Sequence, residues 1–137
     1  MTTPFDDPQA ELAWMFLQNL TEEGDLDEGF ALLSDDFTYW NNVTRTSSGK
    51  DHLRRLSEWR RSVVELTFDM IGCLNEGENV VVEAQCDGIT PAGVHYDFPT
   101  VFIFETRDGL ITSLREYGDT RLAMEAFGAI PPQSNRA

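Results

Sequence analysis

The stretch Val94-His95-Tyr96-Asp97-Phe98-Pro99-Thr100-Val101-Phe102-Ile103-Phe104-Glu105-Thr106, followed by Asp108-Gly109 and then residues 110–118, decides the fold. Val94, Tyr96, Phe98, Thr100, Phe102 and Phe104 fall on one side of a period-two ladder, and His95 and Asp97 fall on the other. That period is a strand's, because successive side chains point to opposite faces. The aromatic side is expected to face the core, which turns His95 outward. Asp-Gly supplies the two positive-φ positions of a tight hairpin turn. Residues 94–106 and 110–118 therefore read as two long antiparallel strands. Pro99 lacks an N–H and marks a place where a bulge would reset the alternation.

Upstream the same pattern continues. Val64, Leu66, Phe68 and Met70 alternate with polar residues, Asn75 to Asn79 make a turn, and residues 80–86 form the partner strand. A loop with Gly88, Pro91 and Gly93 leads into residues 94–106. The result is a four-strand antiparallel meander. An even-length turn places Gly72 near Glu83 and Met70 near Gln85, with Glu83 and Gln85 on the apolar face; an odd turn puts them on the opposite one. The same pairing sets Cys73 near Val82 and Cys86 near Asp69, too far apart for a disulfide.

The first half is helical. Asp7 caps a helix with Pro8 at its first position, and Leu12, Met15, Phe16, Leu17 and Leu20 recur at helical spacing until about Gly24. A second short helix carries Leu26, Phe30, Leu32 and Leu33 and closes at Asp35 and Asp36. Residues 37–41 read as a short strand and residues 42–49 as loop. Residues 50–62 return to helical period through Leu53, Leu56 and Trp59. Residues 122–127 make a closing helical turn, with Asp119 as its cap. The expected architecture is α+β, with about three helices packed on one face of a curved antiparallel sheet. One domain spans 1–137, ordered over about 8–128, with a frayed tail at 129–137.

Composition limits the partners. Hydrophobic residues make up 41% of the chain, enough for one core, and 24 acids against 10 bases give a net charge of −14. Such a surface repels nucleic-acid phosphates and anionic membranes. Arg54, Arg55, Arg60 and Arg61 share a segment with Asp51 and Glu58 and read as a solvated helix face. The start of the chain lacks a basic-then-apolar leader, and Cys73 and Cys86 lack metal-like spacing. A cytoplasmic protein with reduced cysteines is expected. A phosphate loop, a nucleophile elbow and a metal-ligand cluster are absent, so no metal and no organic cofactor is expected.

Gly93-Val94-His95-Tyr96, Val101-Phe102-Ile103-Phe104, Asp108-Gly109-Leu110-Ile111 and Arg115-Glu116-Tyr117-Gly118-Asp119-Thr120 together resemble the SnoaL-like family of the nuclear transport factor 2 superfamily. Gly24-Asp25-Leu26-Asp27 and Leu32-Leu33-Ser34-Asp35-Asp36 fit the same pattern, so the resemblance covers about 12–127. It implies a cone-shaped fold with helices on the concave face of the sheet, a deep apolar pocket, and often a homodimer through the sheet. The family holds polyketide cyclases, ketosteroid isomerases, limonene epoxide hydrolases and many non-enzymes, so the fold leaves the chemistry open.

The resemblance places a general acid or base at Glu116; the plainer reading is a surface Glu paired with Arg115. It aligns Tyr39 and Asn41 with the epoxide hydrolases' Tyr-x-Asn, which holds the attacking water. Their Arg-x-Asp pair aligns with Glu83 and Gln85, so the arginine is lost. The isomerases' base falls at Asn41, their second acid at Thr100 and their tyrosine near Phe16. These three departures argue against a simple ketosteroid isomerase. Trp14, Phe16, Leu17, Leu53, Leu56, Trp59, Phe68, Gln85, Thr100 and Phe102 are the expected pocket lining, or ordinary core. The leading expectation is a cofactor-free acid–base enzyme (isomerase, cyclase or hydrolase) acting on a small, mostly apolar molecule through Glu116, Tyr39, Asn41 and Glu83. The alternatives are a limonene-type epoxide hydrolase relative, a non-catalytic ligand-binding module, and a dimerising scaffold with its cavity filled by aromatic side chains.

Overall fold

The computed structural model describes residues 7–21 and 23–127. The frayed tail expected at 129–137 lies outside them. Helix α1 (Pro8–Asn19) starts where expected: the Asp7 carboxylate accepts from the amides of Gln9 and Ala10 at 2.9 and 3.0 Å. Those amides have no partner inside the helix, which is why an oxygen at the cap stabilises it. Asp7→Ala is expected to cost about 1 kcal/mol of stability, read as a lower urea midpoint with an unchanged slope. Helix α2 (Leu26–Phe30) is capped by Asp25 in the same way.

The structure corrects the next segment. Strand β1 (Leu33–Asn41) begins at Leu33, so Leu33 to Asp36 are extended and not helical. The cause is tertiary: Leu33 pairs with Ile111, and the Ile111 amide donates to the Leu32 carbonyl. The expected loop at 42–49 also contains a short strand, β2 (Ser47–Gly49), paired to β1. Helix α3 (Lys50–Val63) follows, then β3 (Glu65–Glu76), β4 (Asn79–Ile89), β5 (His95–Arg107), β6 (Leu110–Tyr117) and α4 (Thr120–Phe127). The expected four-strand meander is β3 to β6.

One six-stranded sheet runs in the order β2-β1-β6-β5-β4-β3. All neighbours are antiparallel except β1 and β6, which are parallel. Asp108 and Gly109 both have positive φ (54° and 78°), as their tight turn requires. The inner face of the sheet carries Val80, Val82, Ala84, Phe98, Phe102, Phe104 and Leu114, all buried, against Phe16, Leu17 and Leu53 of the helices.

Bulges on β3 and β6 set which side chains of the meander look inward. The two-residue turn at Gly77 and Glu78 does pair Gly72 with Glu83 and Cys73 with Val82. The bulge at Ile71 then shifts the register, so Met70 meets Ala84 and Cys86 meets Phe68. A second bulge, at Thr112 on β6, lets Ile111 and Leu114 both be buried although they are three residues apart. It also puts Glu116 on Leu114's face. At Pro99 the pairing of β4 with β5 runs unbroken, so His95, Asp97 and Pro99 are exposed while Phe98 and Thr100 are buried.

Candidate active site

β1 and β6 run side by side with Asn41 opposite Glu116, and β5 sets Phe102 opposite Glu116 on the other side. Tyr39 and Asn41, two residues apart, share the inner face and are 1% and 4% exposed. The Tyr39 hydroxyl donates to Glu116 Oε1 at 2.7 Å. Asn41 Nδ2 donates to the same Tyr39 oxygen at 3.1 Å. The Asn41 amide has only one sensible orientation, because its Oδ1 accepts from the Val43 and Thr44 amides at 2.9 Å each. This Asx turn at the end of β1 holds the amide rigidly.

Arg60 completes the cluster from α3. Its Nη1 lies 3.4 Å from Glu116 Oε1 and its Nη2 lies 3.5 Å from Tyr39 Oη. The Arg60 and Glu116 side chains are 16% and 12% exposed. The reading of Arg60 as part of a solvated helix face is thus corrected: Arg54 does face outward toward Asp27 and Glu58, but Arg60 faces the core. The signal was present in the sequence. Arg60 stands seven residues after Leu53 and four after Leu56, on the buried stripe of the helix.

Asn42 is a second residue that the sequence reading left unassigned. Its side chain donates to the Gly118 carbonyl at 3.0 Å and accepts from the Gly118 amide at 3.1 Å, while its own amide donates to the Glu116 carbonyl. In effect it extends the pairing of β1 with β6 by one rung and fixes the backbone around Glu116. Gly118 has no room for a side chain, since an added Cβ would come within 2.9 Å of the Phe98 ring. Asp119 accepts from the Leu122 amide at 2.9 Å and caps α4, as expected.

A cavity opens beside Glu116. It is lined by Asn41, Asn42, Val43, Leu56, Arg60, Phe98, Glu116, Gly118, Asp119 and Ala123. Its free volume is about 20 Å³, room for one water-sized molecule. Of the residues expected to line a pocket, Leu56 does so. Trp14, Phe16, Leu17, Leu53, Phe68, Thr100 and Phe102 are buried in the core, and Trp59 packs at its edge. Phe102 meets Phe68 edge-on at 5.5 Å between ring centres.

Glu83 and Gln85 lie on the opposite face of the sheet. Glu83 is exposed, and Gln85 donates to Asp97 Oδ1 at 2.8 Å. The bulge at Ile71 is the reason: beyond it Met70 aligns with Ala84, so the inward positions of β4 are Val82, Ala84 and Cys86. Glu83 therefore stands apart from Glu116.

Burial, reinforced by the Glu116 carboxylate, pushes the Tyr39 phenol well above its ordinary value. Burial likewise pushes the Cys86 thiol up to about 12 from its usual 9.0. Both groups hold their protons more tightly in the fold than in the unfolded chain. Their contribution is complete below the unfolded values and is lost as pH rises through the folded ones. Stability should therefore fall from about pH 9 upward, by roughly 1 kcal/mol per pH unit for each ionising group. Urea midpoints at pH 8 and 10 check this. Cys86→Ala should flatten the slope in that window.

A six-stranded curved sheet with helices on one face is the nuclear transport factor 2-like fold. The chain belongs to the SnoaL-like domain family, whose profile matches residues 15–114 and stops just short of Glu116. In structure it is similar to an epoxide hydrolase of the limonene epoxide hydrolase-like type from M. tuberculosis: 25% identity, 90% of this chain and 89% of that one, TM-score 0.70. It is also similar to a provisionally assigned polyketide cyclase of Xanthomonas campestris pv. campestris, with 19% identity, coverage of 87% and 96%, and a TM-score of 0.75. A protein of ketosteroid isomerase-like fold from Catenulispora acidiphila DSM 44928, in complex with trimethylamine, has 18% identity, coverage of 95% and 96%, and a TM-score of 0.74. Among curated proteins, the uncharacterised protein YesE of Bacillus subtilis (strain 168) is 37% identical over 54 residues, which is 39% of this chain and 37% of that protein's length. Among the described residues no helix is long and apolar enough to cross a membrane, and no group of three or more His, Cys, Asp or Glu is placed to hold a metal ion.

Proposed function

We propose that the chain is a cofactor-free acid–base enzyme acting on a small, mostly apolar molecule, with Glu116 as the proton-transfer group. The observation that carries this reading is a carboxylate, largely buried, that lines a cavity while Tyr39 and Arg60 hold one of its oxygens. A carboxylate fixed next to a small cavity in this way can take a proton from whatever occupies it. Val43, Leu56, Phe98 and Ala123 give that cavity apolar walls.

Within this class a water-consuming reaction has the best support. The cavity has room for one water, and Asn41 presents an amide whose orientation is already fixed. In epoxide opening, Glu116 takes a proton from water as the water oxygen bonds to a ring carbon. The carbon–oxygen bond breaks, and the departing oxygen takes that proton from Glu116, restoring the carboxylate. The likeness to the M. tuberculosis epoxide hydrolase supports this branch, and the exposed Glu83 in place of an inward Arg-x-Asp pair departs from it. The test is a panel of cyclic epoxides and polycyclic ketones incubated with purified protein, with the E116Q variant as control. Turnover by the wild-type chain alone supports the reading; equal turnover by both removes Glu116 from the chemistry.

One observation favours a second reading. Phe16, Phe68, Phe102 and Phe104 fill the core, and the remaining space is small. That packing favours a dimerising scaffold, whose cavity is filled by aromatic side chains. A concentration-dependent dimer in solution, with neither turnover nor saturable binding of any panel compound, selects that reading.

A further inference from the structure

The geometry points to Arg60 as the positioning residue of this site: from α3 it holds Glu116 Oε1 and Tyr39 Oη together, so that Oε2 is the carboxylate oxygen that exchanges protons with a molecule in the cavity. This rests on Glu116 being the proton-transfer group.

The argument is a count of donors and lone pairs. A phenol has one hydrogen to give and two lone pairs. Tyr39 gives its hydrogen to Glu116 and accepts from Asn41 and Arg60, so its capacity is fully used. In this arrangement Tyr39 has no further hydrogen or lone pair with which to orient a water or a substrate. Glu116 Oε1 accepts from both Tyr39 and Arg60, and among the described residues every hydrogen bond to the Glu116 side chain falls on that oxygen. Tyr39 does not line the cavity, whereas Glu116, Arg60 and Asn41 do. The guanidinium, planar with donors in a fixed fork, reaches two acceptors at once where an ammonium is a single point charge. Arg60 also sits in the last turn of α3, whose free carbonyls favour a cation.

Four titratable groups face Glu116: Tyr39 from β1, Arg60 from α3, Cys86 from β4 and Asp119 beyond β6. Tyr39 and Cys86 keep their protons at neutral pH.

The test uses the full chain carrying side-chain 13C-labelled glutamate. The Glu116 carboxyl resonance is identified as the one lost in E116Q. In R60M its titration midpoint should move to higher pH by at least about one unit, the scale of a lost adjacent cation. R60K should bring it most of the way back. Should R60M not fold, R60Q serves as the uncharged variant. With a turned-over epoxide, R60M and R60K should both lower kcat, by about tenfold to a hundredfold for R60M, with KM nearly unchanged and the acid limb of the R60M profile displaced upward. An unmoved midpoint in R60M and R60Q overturns the role of Arg60. E116Q retaining full turnover overturns the proposed function instead, and the resonance still reports on Arg60.

Discussion

On the proposed function, replacing Glu116 by Gln is expected to lower turnover by at least about a hundredfold, the usual scale for loss of a general acid or base. Gln is nearly the same shape, and its amide oxygen can take the place of Oε1, still accepting from Tyr39 and Arg60. The amide nitrogen then replaces Oε2, where it cannot take a proton. The fold should survive: the neighbours that hold the residue, Asn42 on the Glu116 carbonyl and the β1 and β5 pairings, are backbone contacts. The check is a progress curve for each protein beside its urea melt. Loss of turnover with the melt preserved is the expected pair of results. A variant working within threefold of wild type would take the chemistry away from this carboxylate.

The second large effect is on stability. Phe102→Ala should cost about 3–5 kcal/mol, the range for deleting a buried aromatic from a packed core. Phe102 is 1% exposed, edge-on to Phe68 at 5.5 Å and stacked beside Phe104 at 6.5 Å. These neighbours sit on strands held by their own pairings, so the space cannot collapse fully and a cavity remains. Set against a typical total of about 5–15 kcal/mol, the loss is a large fraction of what holds the chain folded. Urea unfolding measures it. Phe102 also pairs with Glu116 across β5 and β6, so the vacated volume lies beneath the carboxylate. A cost below about 1 kcal/mol would mean that the ring is not packed as described.

Much of this was legible in the residues themselves. Alternation over 94–106 gave the inward side of β5 correctly, from Phe98 to Phe104, because a strand's period is fixed by the backbone. Asp7, Pro8 and Asp119 marked helix ends because a free amide at a helix start needs an oxygen whatever surrounds it. Asp108-Gly109 gave its hairpin because few residue pairs tolerate two positive φ values. Tyr39 and Asn41 were placed on one face by a spacing of two, and they are on one face.

What failed were the readings that need a partner. Leu33 reads as helical by its neighbours, yet Ile111 across the sheet draws it into a strand. Glu83 reads as inward until a bulge at Ile71 shifts the register by one residue, and a one-residue shift turns every later side chain to the other face. Arg60 reads as one of four arginines on a polar helix until α3 is laid on the sheet and its Leu53–Leu56 stripe is seen to carry it inward. The sequence by itself determined the helix caps, the Asp108-Gly109 hairpin, the alternation of β5 and the family. Only the tertiary structure decided which charges meet: Tyr39 and Glu116 are 77 residues apart in the chain, and Arg60 is 56 from Glu116. Local geometry is written into backbone sterics and nearest neighbours, whereas the meeting of an acid, a phenol and a guanidinium depends on the pairing of β1 with β6, the bulge at Thr112 and the face that α3 turns to the sheet, which no short window of residues contains.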